Sequence, residues 1–257
     1  MSIFHAIILG IIEGVTEFLP VSSTGHMILA STLLHIPQTE FAQTFEIVIQ
    51  LGAILAMALL YGRTLLAKQT LLIPLIAAFL PTSIIGLVAY KTVKHHLLGN
   101  PIVTVVALAF GGVAFIAIEY ILKKQQPKIM TIEKITIPQA VGMGIGQSLS
   151  FIPGVSRAAA TIFTGMLTGL SRQTAVEFSF LLAIPTMIAA SALEIIKSKP
   201  LLDNAFFLPV VTGTVVAFIT VLITVKGFIR YIQTHTFIPF GIYRILLSFA
   251  FWIVFLP

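Results

Sequence analysis

The chain has 257 residues, of which 58% are hydrophobic and 9% charged, against about 25% charged in an ordinary soluble protein. That balance, with a mean hydropathy of +1.06, excludes a soluble enzyme and indicates one polytopic membrane domain over residues 1–257. The net charge of +6 comes from basic residues set between apolar segments without interleaved aromatics, which excludes a nucleic-acid partner, and the absence of cysteine excludes disulfides and thiolate metal sites.

Residues 3–34 contain a short apolar piece, the polar stretch EGVTEFLPVSSTGH (13–26), and a second short piece over 27–34. Glu13 and Glu17 interrupt the first apolar run, and no basic segment precedes it, so a cleaved signal peptide is not expected. A membrane span needs about 20 residues, so pieces this short predict a re-entrant hairpin. Irregular backbone at membrane depth is tolerated only when buried in protein or lining a wet cavity. Three spans follow at 42–62, 71–90 and 101–122. Residues 135–170 repeat the hairpin arrangement around PGVSRAAAT (153–161), and three more spans follow at 174–196, 205–225 and 237–256.

The expected fold is therefore all-α, with a first repeat at about 1–125 and a second at about 133–257. Pro20 is followed three residues on by Ser23, and Pro153 by Ser156; the same shift of 133 carries Phe45 onto Phe178. Each half holds one hairpin and three spans. Three is odd, so the halves would be inverted relative to each other, with sites at their interface. If the first hairpin enters from outside, Arg63, Lys68, Lys123, Lys124, Lys128, Lys134, Arg172, Lys226 and Arg230 fall inside. Lys91, Lys94, Lys197 and Lys199 then fall outside, which satisfies the positive-inside tendency with both termini outside.

Glu13 and Glu17 are four apart and share a helix face. Like charges there repel unless one is protonated, both meet water, or they share a divalent cation through oxygen ligands. Pro20 should stop that helix. Ser22, Ser23 and Thr24 then offer N-caps for a short helix reaching about residue 34. Capping accounts for one hydroxyl, not for His26 or the acids. A helix N-terminus with free N–H groups is an anion site. The second motif is built alike: Pro153 and Gly154 break the chain, Ser156 caps, and Arg157 opens a helix over 158–170 with a planar fork suited to phosphate.

A charge at mid-bilayer costs about 2.5–3.5 kcal/mol even on the lenient insertion scale. Glu13, Glu17, Glu46, Arg157 and Glu177 all lie in or beside membrane segments, more than a passive scaffold requires. The pattern reads as a divided phosphate site. Ser23 or Ser22 is the nucleophile, His26 the acid/base, and Glu13 and Glu17 the metal ligands, one carboxylate being an alternative general base. Ser22 and Thr24 on one side, with Arg157, Ser156 and Thr161 on the other, would hold the substrate.

These motifs resemble those of the undecaprenyl-diphosphate phosphatases associated with bacitracin resistance. EGVTEFLPVSSTGH and PGVSRAAATIF match the two signatures of that family, and FEIVIQLGAI (45–54) and EFSFLLAIP (177–185) match further stretches. The resemblance covers essentially the whole chain. It implies hydrolysis of the C55 isoprenyl diphosphate to the monophosphate, recycling the lipid carrier of cell-wall synthesis. It also implies a divalent cation (Mg²⁺ or Ca²⁺), a multi-pass place in the bacterial inner (plasma) membrane, and a site open to the outer face. Carried over by position, it implies Ser23 as nucleophile, His26, Glu13 and Glu17 as functional residues, and Arg157 on phosphate with Ser156 and Thr161 beside it. Ala158 and Ala159 depart from the family's Ser-Gly at those places; the Ser-Arg pair and the threonine are kept, so activity is still expected. The partners implied are the lipid diphosphate and membrane lipids, with a homodimer as an open assembly. An inverted-repeat transporter or lipid flippase is the competing reading, because broken helices between repeats also build transport sites.

Overall fold

The computed structural model describes residues 1–37, 39–97, 100–197 and 204–255. Lys199, used in the charge count, lies outside them. Among the described residues the chain is helical, with only an isolated bridge between Ile129 and Leu170. Six helices are long and apolar enough to cross a membrane. They are α3 (Glu40–Ala67), α4 (Leu72–His96), α5 (Pro101–Leu122), α8 (Arg172–Lys197), α9 (Asn204–Ile232) and α10 (Ile238–Phe255). The first hairpin comprises α1 (Ile3–Thr16) and α2 (Ser23–Leu33), and the second α6 (Ile137–Gln147) and α7 (Arg157–Leu167). At 14 and 11 residues, α1 and α2 are each too short to span.

Each short helix starts and stops where its sequence allows. Ser22 and Ser156 are the N-caps of α2 and α7, and their hydroxyls accept from Gly25 N at 3.3 Å and Ala159 N at 3.2 Å. Both helices end in a Schellman arrangement: Ile36 N reaches Ser31 O at 2.8 Å, and Leu170 N reaches Gly165 O at 3.0 Å. The first break differs from expectation in one respect. α1 ends at Thr16, ahead of Pro20, and Glu17 to Val21 form turns. Proline disfavours helical backbone at the residue before it, so the chain leaves the helix early.

The local backbone recurs 134 positions on. Ser22 and Ser156 have φ of 73° and 75°, and His35 and Gly169 have φ of 52° and 95°. The helix starts of α1 and α6 and both ends of α2 and α7 keep that same spacing. Ser22 thus matches Ser156, and Ser23 matches Arg157. This is one residue off the register read from Pro20 and Pro153; the shorter connection from α7 to α8 absorbs the difference before Phe45 and Phe178.

Packing interleaves the two halves. α1 lies on α9 and α6 on α4; α5 pairs with α10 and α3 with α8. Small residues permit the close crossings. A Cβ added at Gly144 of α6 would fall 2.0 Å from Ala78 O of α4, and one added at Gly112 of α5 would fall 2.6 Å from Gly241 O of α10. Thr82 of α4 reinforces the first crossing by donating to Gly144 O at 2.6 Å. Phe115, Phe180, Phe228 and Phe237 are buried in the main apolar core, with aromatic centroids 5.5–6.4 Å apart along it. Away from the membrane segments, Lys68 pairs with Glu133 across the loops. The cation holds the Glu133 carboxyl below its usual range.

Candidate active site

The two hairpin breaks face each other across a cavity of about 620 Å³. Its polar end is lined by Glu17, Ser22, Ser23 and Thr24 from the first break and by Ser156 and Arg157 from the second. Its other walls are largely apolar, with Phe79, Leu87 and Val93 of α4, Phe151, and Met187 and Leu193 of α8. Gln50, Thr82 and Gln147 add polar groups.

Ser23 and Arg157 each open a short helix, so both sit where backbone N–H groups are free and the helix dipole is positive. Ser23 Oγ donates to Glu17 Oε2 at 2.5 Å. Arg157 Nη2 donates to Glu17 Oε1 at 3.2 Å. One carboxylate therefore orders a hydroxyl on one side and a guanidinium on the other. Arg157 is further held by Ser179 O at 3.2 Å and lies over the Phe18 ring, 5.1 Å from its centroid. Its Nε–H is buried and has no hydrogen-bond partner among the described residues.

The remaining expected residues take other places. Glu13 is buried on α1, one turn behind Glu17 and outside the cavity lining. Its Oε1 has no hydrogen-bond partner. Thr161 is fully buried; its hydroxyl meets Ser179 Oγ at 2.5 Å and Arg157 O at 3.0 Å. His26 points away from Ser23. Its Nδ1 is 2.7 Å from Ser22 O, and its Nε2 is 2.6 Å from Tyr243 Oη. A carbonyl can only accept, so Nδ1 carries a proton and donates to Ser22 O, while Nε2 shares a hydrogen bond with the tyrosine hydroxyl. The rings stack with centroids 5.5 Å apart. Of the other acids, Glu46 accepts from Ser31 at 3.3 Å and Glu177 from Gln173 at 2.9 Å.

Glu13 and Glu17 supply hard carboxylate oxygens of the kind Mg²⁺ or Ca²⁺ takes, Glu13 Oε1 being unpartnered among the described residues while both oxygens of Glu17 already accept from Ser23 and Arg157. Among the described residues no three His, Asp or Glu side chains gather to hold a metal. A cation here would complete its shell with water or ligand oxygens.

Sequence reasoning missed Ser179, Tyr243, Arg244 and Phe18. An arginine inside an apolar span was a usable signal for Arg244. The other three are ordinary residues whose place depends on long-range packing.

A hydroxyl bonded to a carboxylate, a buried arginine and two helix N-termini thus meet at one cavity of a helical chain with six candidate membrane spans among the described residues. The chain belongs to the family described as bacitracin resistance protein BacA, whose model matches residues 6–250. It is 47% identical to an undecaprenyl-diphosphatase of Wolinella succinogenes over 98% of this chain and 97% of that protein. It is 49% identical to one of Campylobacter jejuni, over 98% and 94% respectively. With one of Aquifex aeolicus the identity is 43% and covers the whole of both chains.

Proposed function

We propose that the chain hydrolyses undecaprenyl diphosphate to undecaprenyl phosphate and inorganic phosphate. The observation that carries this reading is the Ser23–Glu17 hydrogen bond beside Arg157. A hydroxyl is a weak nucleophile until a neighbouring base takes its proton. The 2.5 Å hydrogen bond from Ser23 Oγ supports Glu17 as that base, while His26 bonds to Ser22 O and Tyr243 Oη instead.

Ser23 Oγ attacks the terminal phosphorus while its proton passes to Glu17 Oε2. The anhydride P–O bond breaks, and the lipid monophosphate leaves with that electron pair. Glu17 hands that proton to the departing monophosphate and is then free to take one from the water that attacks the phosphoserine; this proton returns to Ser23 Oγ as its bond to phosphorus breaks, and inorganic phosphate leaves. Arg157 and the helix N-termini bind the phosphoryl oxygens, where charge builds up in phosphoryl transfer. Thr24, Ser22 and Ser156 line the same end. Thr161 acts indirectly, by fixing Ser179 and the first turn of α7. The apolar walls of α4 and α8 take the start of the isoprenyl chain. A divalent cation on Glu13 and Glu17 would, when bound, offset the negative charge of the diphosphate.

The repeat of backbone geometry across the two hairpins supports an inverted repeat. So does the packing: exchanging α1 with α6, α3 with α8, α4 with α9 and α5 with α10 returns the four helix pairs named above. The hairpins would be re-entrant and meet near the midplane. The distribution of basic residues among the loops supports an orientation with both termini outside, and with it a plasma-membrane site reached from the outer face. The transport reading is not favoured, since the relatives named above are diphosphatases.

Phosphate release from the purified chain in detergent tests the proposal. One phosphate per lipid diphosphate, with the monophosphate as the other product, is expected. Binding without release in the folded wild type contradicts it.

A further inference from the structure

Arg244 lies within the apolar helix α10, is completely buried, and pairs with no carboxylate among the described residues. A charge so placed needs dense hydrogen bonding to persist. It receives this from four backbone carbonyls. Nη1 donates to Pro20 O at 3.1 Å and Val155 O at 3.0 Å. Nη2 donates to Gly154 O at 2.8 Å and Ala107 O at 3.2 Å. Pro20 belongs to the first break; Gly154 and Val155 belong to the second; Ala107 lies on α5.

One guanidinium thus ties together the two turns that carry the site residues. Pro20 is three residues before Ser23, and Val155 is two before Arg157. The neighbourhood is shaped for the fork. A Cβ on Gly111 would fall 2.1 Å from Arg244 Nη2. Gly154 holds φ of +94° against α5, where a Cβ would fall 2.5 Å from Thr104 O. Charge-assisted bonds from a rigid planar group fix both distance and angle.

We infer that Arg244 is a positioning residue that locks the two breaks in register and so holds Ser23 opposite Arg157. The inference rests on the diphosphatase reading only for its effect on turnover. Its geometric content is independent of that reading. The four hydrogen bonds of Arg244 all go to backbone carbonyls, so it acts on the site through the backbone.

The test uses nitroxide pairs in this cysteine-free chain, at Leu33→Cys and Leu167→Cys, exposed positions at the ends of α2 and α7. Arg244→Met should shift or broaden the label distance well below the unfolding temperature. It should also lower turnover on the order of 100-fold, as a misplaced site does. Arg244→Lys keeps the charge but has a single nitrogen, so it should leave both defects. Gly111→Ala keeps the arginine and crowds its fork; it should reproduce them even if Arg244→Met fails to fold. Gly62→Ala, where an added Cβ meets nothing within 4 Å, should change neither readout. An unchanged distance in folded Arg244→Met and Gly111→Ala overturns the inference, as does full recovery of distance and turnover in Arg244→Lys. A wild-type chain that releases no phosphate sinks the diphosphatase reading and leaves the distance test standing.

Discussion

Glu17 and Arg157 are 140 positions apart in the chain and 3.2 Å apart at the site. The guanidinium also reaches Ser179 O and lies over Phe18. A lysine keeps the charge but cannot reach carboxylate, carbonyl and phosphate from one planar group. Arg157→Lys is therefore expected to lower kcat/KM by about 100-fold or more. Steady-state rates on the purified variant check this.

Ser23 and Ser22 are adjacent hydroxyls with different work. Ser23 bonds to Glu17, whereas Ser22 caps α2. Ser23→Ala should abolish turnover in a protein that still folds. Ser22→Ala should lose about 0.5–2 kcal/mol of stability and keep measurable turnover. Parallel thermal unfolding and rate measurements separate the two, and the reverse pattern would reassign the nucleophile.

His35 holds φ of 52° at the C-terminus of α2, where Gly169 serves after α7. A non-glycine residue pays roughly 1–2 kcal/mol for left-handed backbone. His35→Gly removes that strain, offset in part by the entropy of glycine in the unfolded chain. A raised unfolding midpoint with unchanged turnover is expected, because His35 is not among the residues that line the cavity.

These contacts also show what a sequence can reveal. The six spans were readable from hydropathy, and α5 falls on its expected bounds because Asn100 caps it and Pro101 opens it. The polar breaks were readable because charge in an apolar run is costly. The partner of each polar group was not. His26 meets Tyr243 across 217 positions, and Arg244 meets Pro20 across 224. No local periodicity encodes such pairings; they follow from how α10 packs on α5. The repeat register also slipped by one, because prolines mark a break without fixing which residue caps the next helix.

Glu13 and Glu17 make the metal requirement testable. Chelation should abolish turnover, and Mg²⁺ or Ca²⁺ should restore it. Glu13→Gln should raise the metal concentration needed for half-maximal rate, since the amide keeps shape and loses the charge that holds a hard cation. Unchanged activity in excess chelator would remove the cation from the account.

The most direct measurement follows phosphate and lipid together. Purified wild type and Ser23→Ala are incubated with undecaprenyl diphosphate, and both products are quantified. The account predicts equal amounts of phosphate and undecaprenyl phosphate from wild type and neither above background from Ser23→Ala. Release by Ser23→Ala at the wild-type rate, or no release by a folded wild type, would contradict it.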